Sequence, residues 1–520
     1  MRKEKGILPK IKYVLIMILS VLSVAFTLLL MLSAITRTAV ANNMTEQMMT
    51  VEWEKPFSSL FCFGLFAIIG FIVVKRSSEY NQRLLFSITI LIHAAVGVAL
   101  IVFGRTGPAG DPGVVYSMAE QAAVGNYGFV SSGESYLSYY PQQIGLTVFL
   151  GLLLKGINLI PFNVSPHHAI KVIYVILNCV SVTFGYLFVK EKWKNYKVNV
   201  AFLYLSMLNL PFMMYSSFIY GEVPSFTAMT AAAYFLLRIE KKKGPEVLNM
   251  ILFVLSLVLA VFVRKNSLIF AIATLIVLVL MFLGKKKSWM LVLAVTAMAL
   301  CICVLPLTLK YFENKTGSKV DSGVTMYSYL AMGMQEGGRG PGWYNGFNYN
   351  TYRDTGMNTE EANKISSEAI KERKQYFKDN PKEAVKFYTD KFLTQWSDPT
   401  LASCQATWAD FGGRSEFMVS VYEGKNNQYY VMLFNAFQNM VCIGAFIWSL
   451  LNLKTVMTEK KGLETVVYLG IITVIGGFIF HMIWEANSRY IFPYAMLLMP
   501  YAASGIAQIF HFRLKDYEED

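Results

Sequence analysis

The sequence predicts an all-α polytopic membrane protein with about twelve transmembrane helices, interfacial helices in the first large outer loop and a mostly helical extracytoplasmic region. Three observations predict it. The 520 residues are 55% hydrophobic and only 16% charged, with a mean hydropathy of +0.42, too apolar for a water-soluble globule with a polar surface. Apolar runs long enough to cross roughly 30 Å of hydrocarbon recur along the chain. Lysine and arginine gather in short loops between alternate runs, the pattern that keeps such loops on the cytoplasmic side.

Taken in order, the amino terminus carries Arg2, Lys3, Lys5, Lys10 and Lys12 ahead of the apolar run 13–35. That run is longer than a signal-peptide core, so it reads as a retained anchor with its amino end inside. Further runs lie near 57–74, 84–103, 169–189, 198–218, 222–238, 247–263, 267–283, 289–309, 431–451, 465–484 and 490–510. The segment 144–160 is interrupted by Lys155 and Asn158 and reads as interfacial. Charge decides this. If it crossed, Lys190, Lys192, Lys194 and Lys197 would face outward and every later loop would invert. Without it, the basic loops at 75–83, 190–197, 238–243, 285–287 and 454–461, and Arg513 with Lys515, all lie inside.

This topology divides the chain into a transmembrane module, 1–310, whose outer loop is 104–168, an extracytoplasmic region, 311–430, and carboxyl-terminal helices, 431–520. Within 311–430, Asn380 is expected to cap a helix that begins at Pro381, with Glu383 completing a capping box. Ala384, Val385, Tyr388, Phe392 and Leu393 would form its buried face. The stretch "GGRGPGWYNGFNYN" predicts an irregular loop.

Several classes are excluded. The net charge of +13 sits in topology clusters rather than on an aromatic-interleaved stripe, which argues against nucleic acid. Of six cysteines, only Cys404 lies in a long polar stretch, so no disulfide framework is expected. There is no Walker loop, HExxH, GxSxG or CxxC, which argues against ATP-driven transport by this chain.

Four places carry candidate chemistry. Asp111, in "GRTGPAGDPGVVYSMAEQAA", is either the cap of a helix beginning at Pro112 or an acid or base at the outer surface. Glu222, in "YSSFIYGEVPSF", is either a hydrated headgroup-level carboxylate or a group facing a cavity, metal or cation. Arg264 and Lys265 run against the positive-inside bias and suggest an anion such as a lipid phosphate. Glu485 and Arg489, four apart in "HMIWEANSRYIFPY", form either a structural salt bridge or part of a binding site. No histidine spacing suggests a metal, and His93 reads as a satisfied core residue.

The outward Asp after a span, the "YYPQQIG" stretch, the acidic residue in "YGEVPSFTAMTAAAYFLLR" and the late "SRYIFP" together resemble the GT-C superfamily. These are polytopic glycosyltransferases that use polyprenyl-phosphate sugars, such as protein O-mannosyltransferases and lipid A aminoarabinose transferases. The resemblance implies an inverting transfer from an undecaprenyl-phosphate type donor to an extracytoplasmic glycan, lipid or protein. It implies Asp111 as general base and Glu222 as the second catalytic acid residue. Arg264 and Lys265 would hold the donor phosphate, and Tyr139, Tyr140 and Gln142 would border the lipid entrance. Arg489, with Glu485 before it, matches an element where a phosphate contact is implied. The first loop lacks a DxD and Glu222 lacks an acidic neighbour, so no cofactor is assigned and a divalent metal stays open. The implied setting is a bacterial cell membrane, with the active site on the extracytoplasmic side. The alternative is a lipid-linked sugar or polysaccharide transporter, which would call for an internal repeat that the sequence does not show.

Overall fold

The computed structural model describes residues 7–44, 48–160, 164–459 and 464–515. Arg2, Lys3, Lys5, Lys460 and Lys461, named above as topology signals, lie outside them. The structure is 78% helical. Among the described residues, nine helices are long and apolar enough to cross a membrane, or ten if one bent pair counts as a single span. The bent pair, Tyr196–Leu208 and Leu210–Ser217, turns by 57° at Asn209. Pro211 cannot donate a backbone hydrogen bond there, and the Asn209 Oδ1 accepts from the Phe212 amide at 3.2 Å. Two helices, Pro56–Arg76 and Glu222–Lys241, fill the remaining predicted runs. The second is less apolar because Glu222 opens it and Arg238 and Glu240 close it.

The loops sort by charge between the two ends of the helix array. At one end the Lys192 amine donates to Glu464 at 2.5 Å, Lys241 to the Glu191 carbonyl at 2.6 Å and Lys285 to the Glu240 carbonyl at 2.5 Å. At the other end the segments read as outward meet one another. Gly107 donates to the Ala409 carbonyl at 2.8 Å, Ala39 to Ser397 at 2.9 Å and Ala486 to Gly342 at 2.8 Å. The region 311–430 is seated on the bundle through Trp396, whose ring lies 5.6 Å from Phe26 and 6.1 Å from Tyr494.

Residues 144–158 form a helix of 15 residues, about 22 Å long at 1.5 Å per residue and so shorter than the roughly 30 Å a span needs. Gly145 sits so close to the Phe262 carbonyl that a Cβ would come within 1.9 Å. Only glycine allows that docking.

Several expectations are corrected. The all-α class holds, but one element was not foreseen: β1 (Arg37–Asn43) and β2 (Met48–Trp53) pair antiparallel between the first two helices. Its strands, RTAVANN and MMTVEW, lack the strict apolar–polar alternation that marks a half-buried strand. Asn380 precedes the helix Pro381–Trp396 but makes no cap bond. Its amide donates instead to the Tyr376 carbonyl at 3.0 Å, so no capping box forms. The buried face of that helix is Phe387, Lys391, Phe392, Leu393 and Trp396, while Val385 is 69% exposed. Within the predicted irregular stretch, Phe347–Asp354 is helical. All six cysteines are free. The His93 ring meets the Asn178 Oδ1 at 2.6 Å and the Ser206 carbonyl at 3.0 Å, as a satisfied core histidine does.

Candidate functional site

Asp111 stands in the first turn of the helix Gly110–Ala123, where a carboxylate is favoured by the helix dipole. The N-cap is Ala109 and no side chain caps the helix, which corrects the reading of Asp111 as a cap. Its side chain is exposed. Its charge acts on Tyr136, Tyr140, Tyr220 and Tyr344, and on Glu485. Tyr329 feels the same charge, so five tyrosines and a second carboxylate lie within electrostatic range of Asp111.

Glu222 opens the helix Glu222–Lys241 with a side chain that is 0% exposed, so it is not a hydrated headgroup-level residue. Its Oε1 lies 2.9 Å from the Arg264 Nη1 and 3.7 Å from the Arg489 Nε. The approach is close without being aligned, since neither carboxylate oxygen nor the Arg264 Nη1 makes a geometrically sound hydrogen bond within the protein. Two guanidinium groups against one carboxylate leave a net charge of +1. Such a cluster keeps hydrogen-bonding capacity and positive charge in reserve, which a bound anion can use.

Glu485 and Arg489 are not ion-paired with each other. A spacing of four joins side chains only within a helix, and here the helix begins at Ser488, after Glu485. Arg489 turns toward Glu222, with its guanidinium 5.4 Å from the Tyr220 ring and 5.6 Å from the Phe218 and Tyr490 rings. The Tyr490 hydroxyl donates to the Glu485 Oε1 at 3.2 Å. Burial pushes the Glu485 carboxyl up to about 7, against the lowering effect of Arg489.

The other predicted residues divide. Arg264 is a single extended residue, with φ −154° and ψ 106°, between the helix Glu246–Val263 and the 3-10 turn Lys265–Ser267, so its side chain and that of Lys265 leave the chain from different backbone conformations. Lys265 is exposed, and no contact among the described residues brings it to Glu222 or Arg489. Tyr140 is half-buried, and burial with the charges of Asp111 and Glu485 holds its phenol above the usual value. Tyr139 turns toward the outer region, its ring 4.6 Å from Tyr349. Gln142 is half-buried, but its neighbour Gln143 makes the inward contact, donating to the Tyr220 hydroxyl at 2.5 Å.

Sequence reasoning missed Tyr136, Gln143, Tyr220 and Tyr344. Tyr220 and Gln143 stand next to residues already named, so adjacency was the available signal; Tyr344, in a distant loop, offered none. Among the described residues no group of three or more His, Cys, Asp or Glu could hold a metal ion. The sequence matches no protein-family model and no curated protein.

Proposed function

We propose that the protein is a GT-C-type glycosyltransferase that moves a sugar from a polyprenyl-phosphate donor, of the undecaprenyl-phosphate type, to an extracytoplasmic glycan, lipid or protein. One observation carries the reading. The exposed carboxylate of Asp111 shares one end of the helix array, across a wall of tyrosines, with the buried Glu222, Arg264 and Arg489 cluster of net positive charge.

In this reading Asp111 takes the proton of the acceptor hydroxyl as its oxygen attacks the anomeric carbon from the face opposite the leaving group. The bond from that carbon to the phosphate oxygen breaks, and polyprenyl phosphate leaves with the electron pair. Arg264 and Arg489 stabilise the negative charge of the departing phosphate. Glu222 holds the two guanidinium groups together and tempers their repulsion. The sugar phosphodiester already carries a good leaving group, polyprenyl phosphate, so alignment and charge supply most of the catalysis. Counting Pro56–Arg76 and Glu222–Lys241 as spans gives twelve crossings, with the lysine-rich end in the cytoplasm of a bacterium.

The transporter alternative would draw on the broken helix at Asn209. That break borders a cavity lined by Asn209, Phe212, Met496 and Met499, where the Asn209 amide points at the sulfurs of Met496 and Met499 at 2.8 and 3.3 Å; among the described residues the lining carries no charged group that would hold a lipid phosphate. The transferase reading is tested by incubating the purified protein in liposomes with polyprenyl-phosphate sugars and following release of polyprenyl phosphate. Movement of intact lipid-linked sugar between leaflets without release would support transport instead.

A further inference from the structure

Lys391 is 0% exposed on the helix Pro381–Trp396, an unusual place for an ammonium group. Its amine donates to the Gly333 carbonyl at 2.5 Å and to the Trp484 carbonyl at 2.7 Å. No carboxylate lies within ion-pair distance of it among the described residues. Gly342 closes over the amine so tightly that a Cβ there would sit 2.6 Å from the Lys391 Cε and 2.7 Å from its Nζ. Gly342 also accepts from the Ala486 amide at 2.8 Å. The turn between the last two spans, which carries Glu485, is thus gripped on both sides of that residue, at Trp484 by Lys391 and at Ala486 by Gly342.

A cation buried on backbone carbonyls costs several kcal/mol of desolvation, and a neutral side chain of similar size would pack there at less expense. The ammonium supplies what an apolar side chain could not, two directional bonds from a single point charge. We propose that Lys391 is a positioning residue for this site, its ammonium setting the place of the Trp484–Ala486 turn and with it that of the Glu485 carboxylate. Arg489 starts the helix that follows the same turn, so its approach to Glu222 depends on the same grip. Burial pulls the Lys391 amine down to about 7, with Glu485 partly opposing, and the His481 ring also feels its charge.

The role of the turn in transfer rests on the transferase reading; the grip itself does not, and the experiment separates the two. Amide hydrogen exchange at Ala486 and sugar-transfer kinetics are measured for the parent, for Lys391→Met and for Lys386→Met, an exposed lysine on the same helix. The expected result for Lys391→Met is Ala486 exchange at least 10-fold faster and kcat reduced by 10-fold or more, with KM for the donor changed less than 3-fold. Lys386→Met should leave all three unchanged. If Lys391→Met does not fold, Lys391→Gln, which keeps a hydrogen-bond donor on the same helix without the charge, is read in the same way. Parental exchange at Ala486 in the folded variant overturns the proposal, and so does faster exchange with parental kcat. A parent that releases no polyprenyl phosphate removes the transferase reading, while the exchange measurement still decides whether Lys391 grips the turn.

Discussion

The Arg264 guanidinium meets the Glu222 carboxylate at 2.9 Å where the carboxylate has no access to solvent. Two charges taken out of water contribute little net stability, but removing one partner strands the other. Arg264→Ala should therefore cost about 3 to 5 kcal/mol, more than a surface cation would. Adding Glu222→Ala should recover part of that loss. Denaturation of both variants in detergent micelles checks this, and strictly additive losses would show that the pair is not coupled.

Arg489 should contribute to donor binding through a charge-assisted hydrogen bond to phosphate. Arg489→Ala is expected to weaken binding of polyprenyl phosphate by about 1.5 to 3 kcal/mol, measured by titration of the purified protein. Equal affinity in variant and parent would leave Arg489 with a structural role toward Glu222 only.

Asp111→Asn should barely affect stability, because Asp111 makes no cap bond and its interaction with the helix dipole contributes about 1 kcal/mol or less. If Asp111 is the base, transfer should fall on the order of 100-fold to 10,000-fold. Glu120→Gln, on the exposed side of the same helix, is the control. Near-parental transfer by Asp111→Asn would end the catalytic assignment.

Two groups outside the spans give opposite pH dependence. The Glu485 carboxyl, raised to about 7 from an ordinary 4.5, binds more protons in the folded state. Its contribution to stability is present below about pH 4.5 and is lost as pH rises through 7, by roughly 3 kcal/mol in all. Lys391, lowered from 10.5 to about 7, costs stability below 7, a cost relieved as pH rises toward 10.5. Melting curves from pH 4 to 10 should show a fall and then a rise. Glu485→Gln should flatten the acid limb and Lys391→Met the alkaline one; curves parallel to the parent's would contradict this.

Topology is tested by labelling single introduced cysteines in sealed vesicles. Lys194→Cys should be reached from the end that carries the basic loops and Glu360→Cys from the opposite side. Labelling of both from one side would remove the outward placement of Asp111 and of the site with it.

Composition and period were enough to foresee the helices, because a segment that must satisfy its own backbone hydrogen bonds in lipid has few alternatives. Charge alone sorted the loops into two sets, and those sets meet at opposite ends of the array. Asp111, Glu222, Arg264 and Arg489 stood out as charges in apolar surroundings, where each needs a reason. Which charge answers which was not legible. Glu485 and Arg489 sit four apart, yet a turn rather than a helix separates them, so Arg489 reaches Glu222 across 267 positions of sequence. Arg264 and Lys265 look equivalent in the chain, but the backbone changes from extended at Arg264 to a 3-10 turn at Lys265, and one side chain goes inward while the other stays at the surface. Nothing in the sequence set Lys391 apart, because the carbonyls it grips, at Gly333 and Trp484, come from distant segments. The sequence by itself determined that this chain is a membrane-embedded helical array with basic loops at one end and the candidate site's charges at the other, since hydrophobicity and charge act locally and additively along it. Only the tertiary structure decided the partners of those charges, because a buried ion takes whichever opposite charge or carbonyl the packing of distant helices brings within about 3 Å.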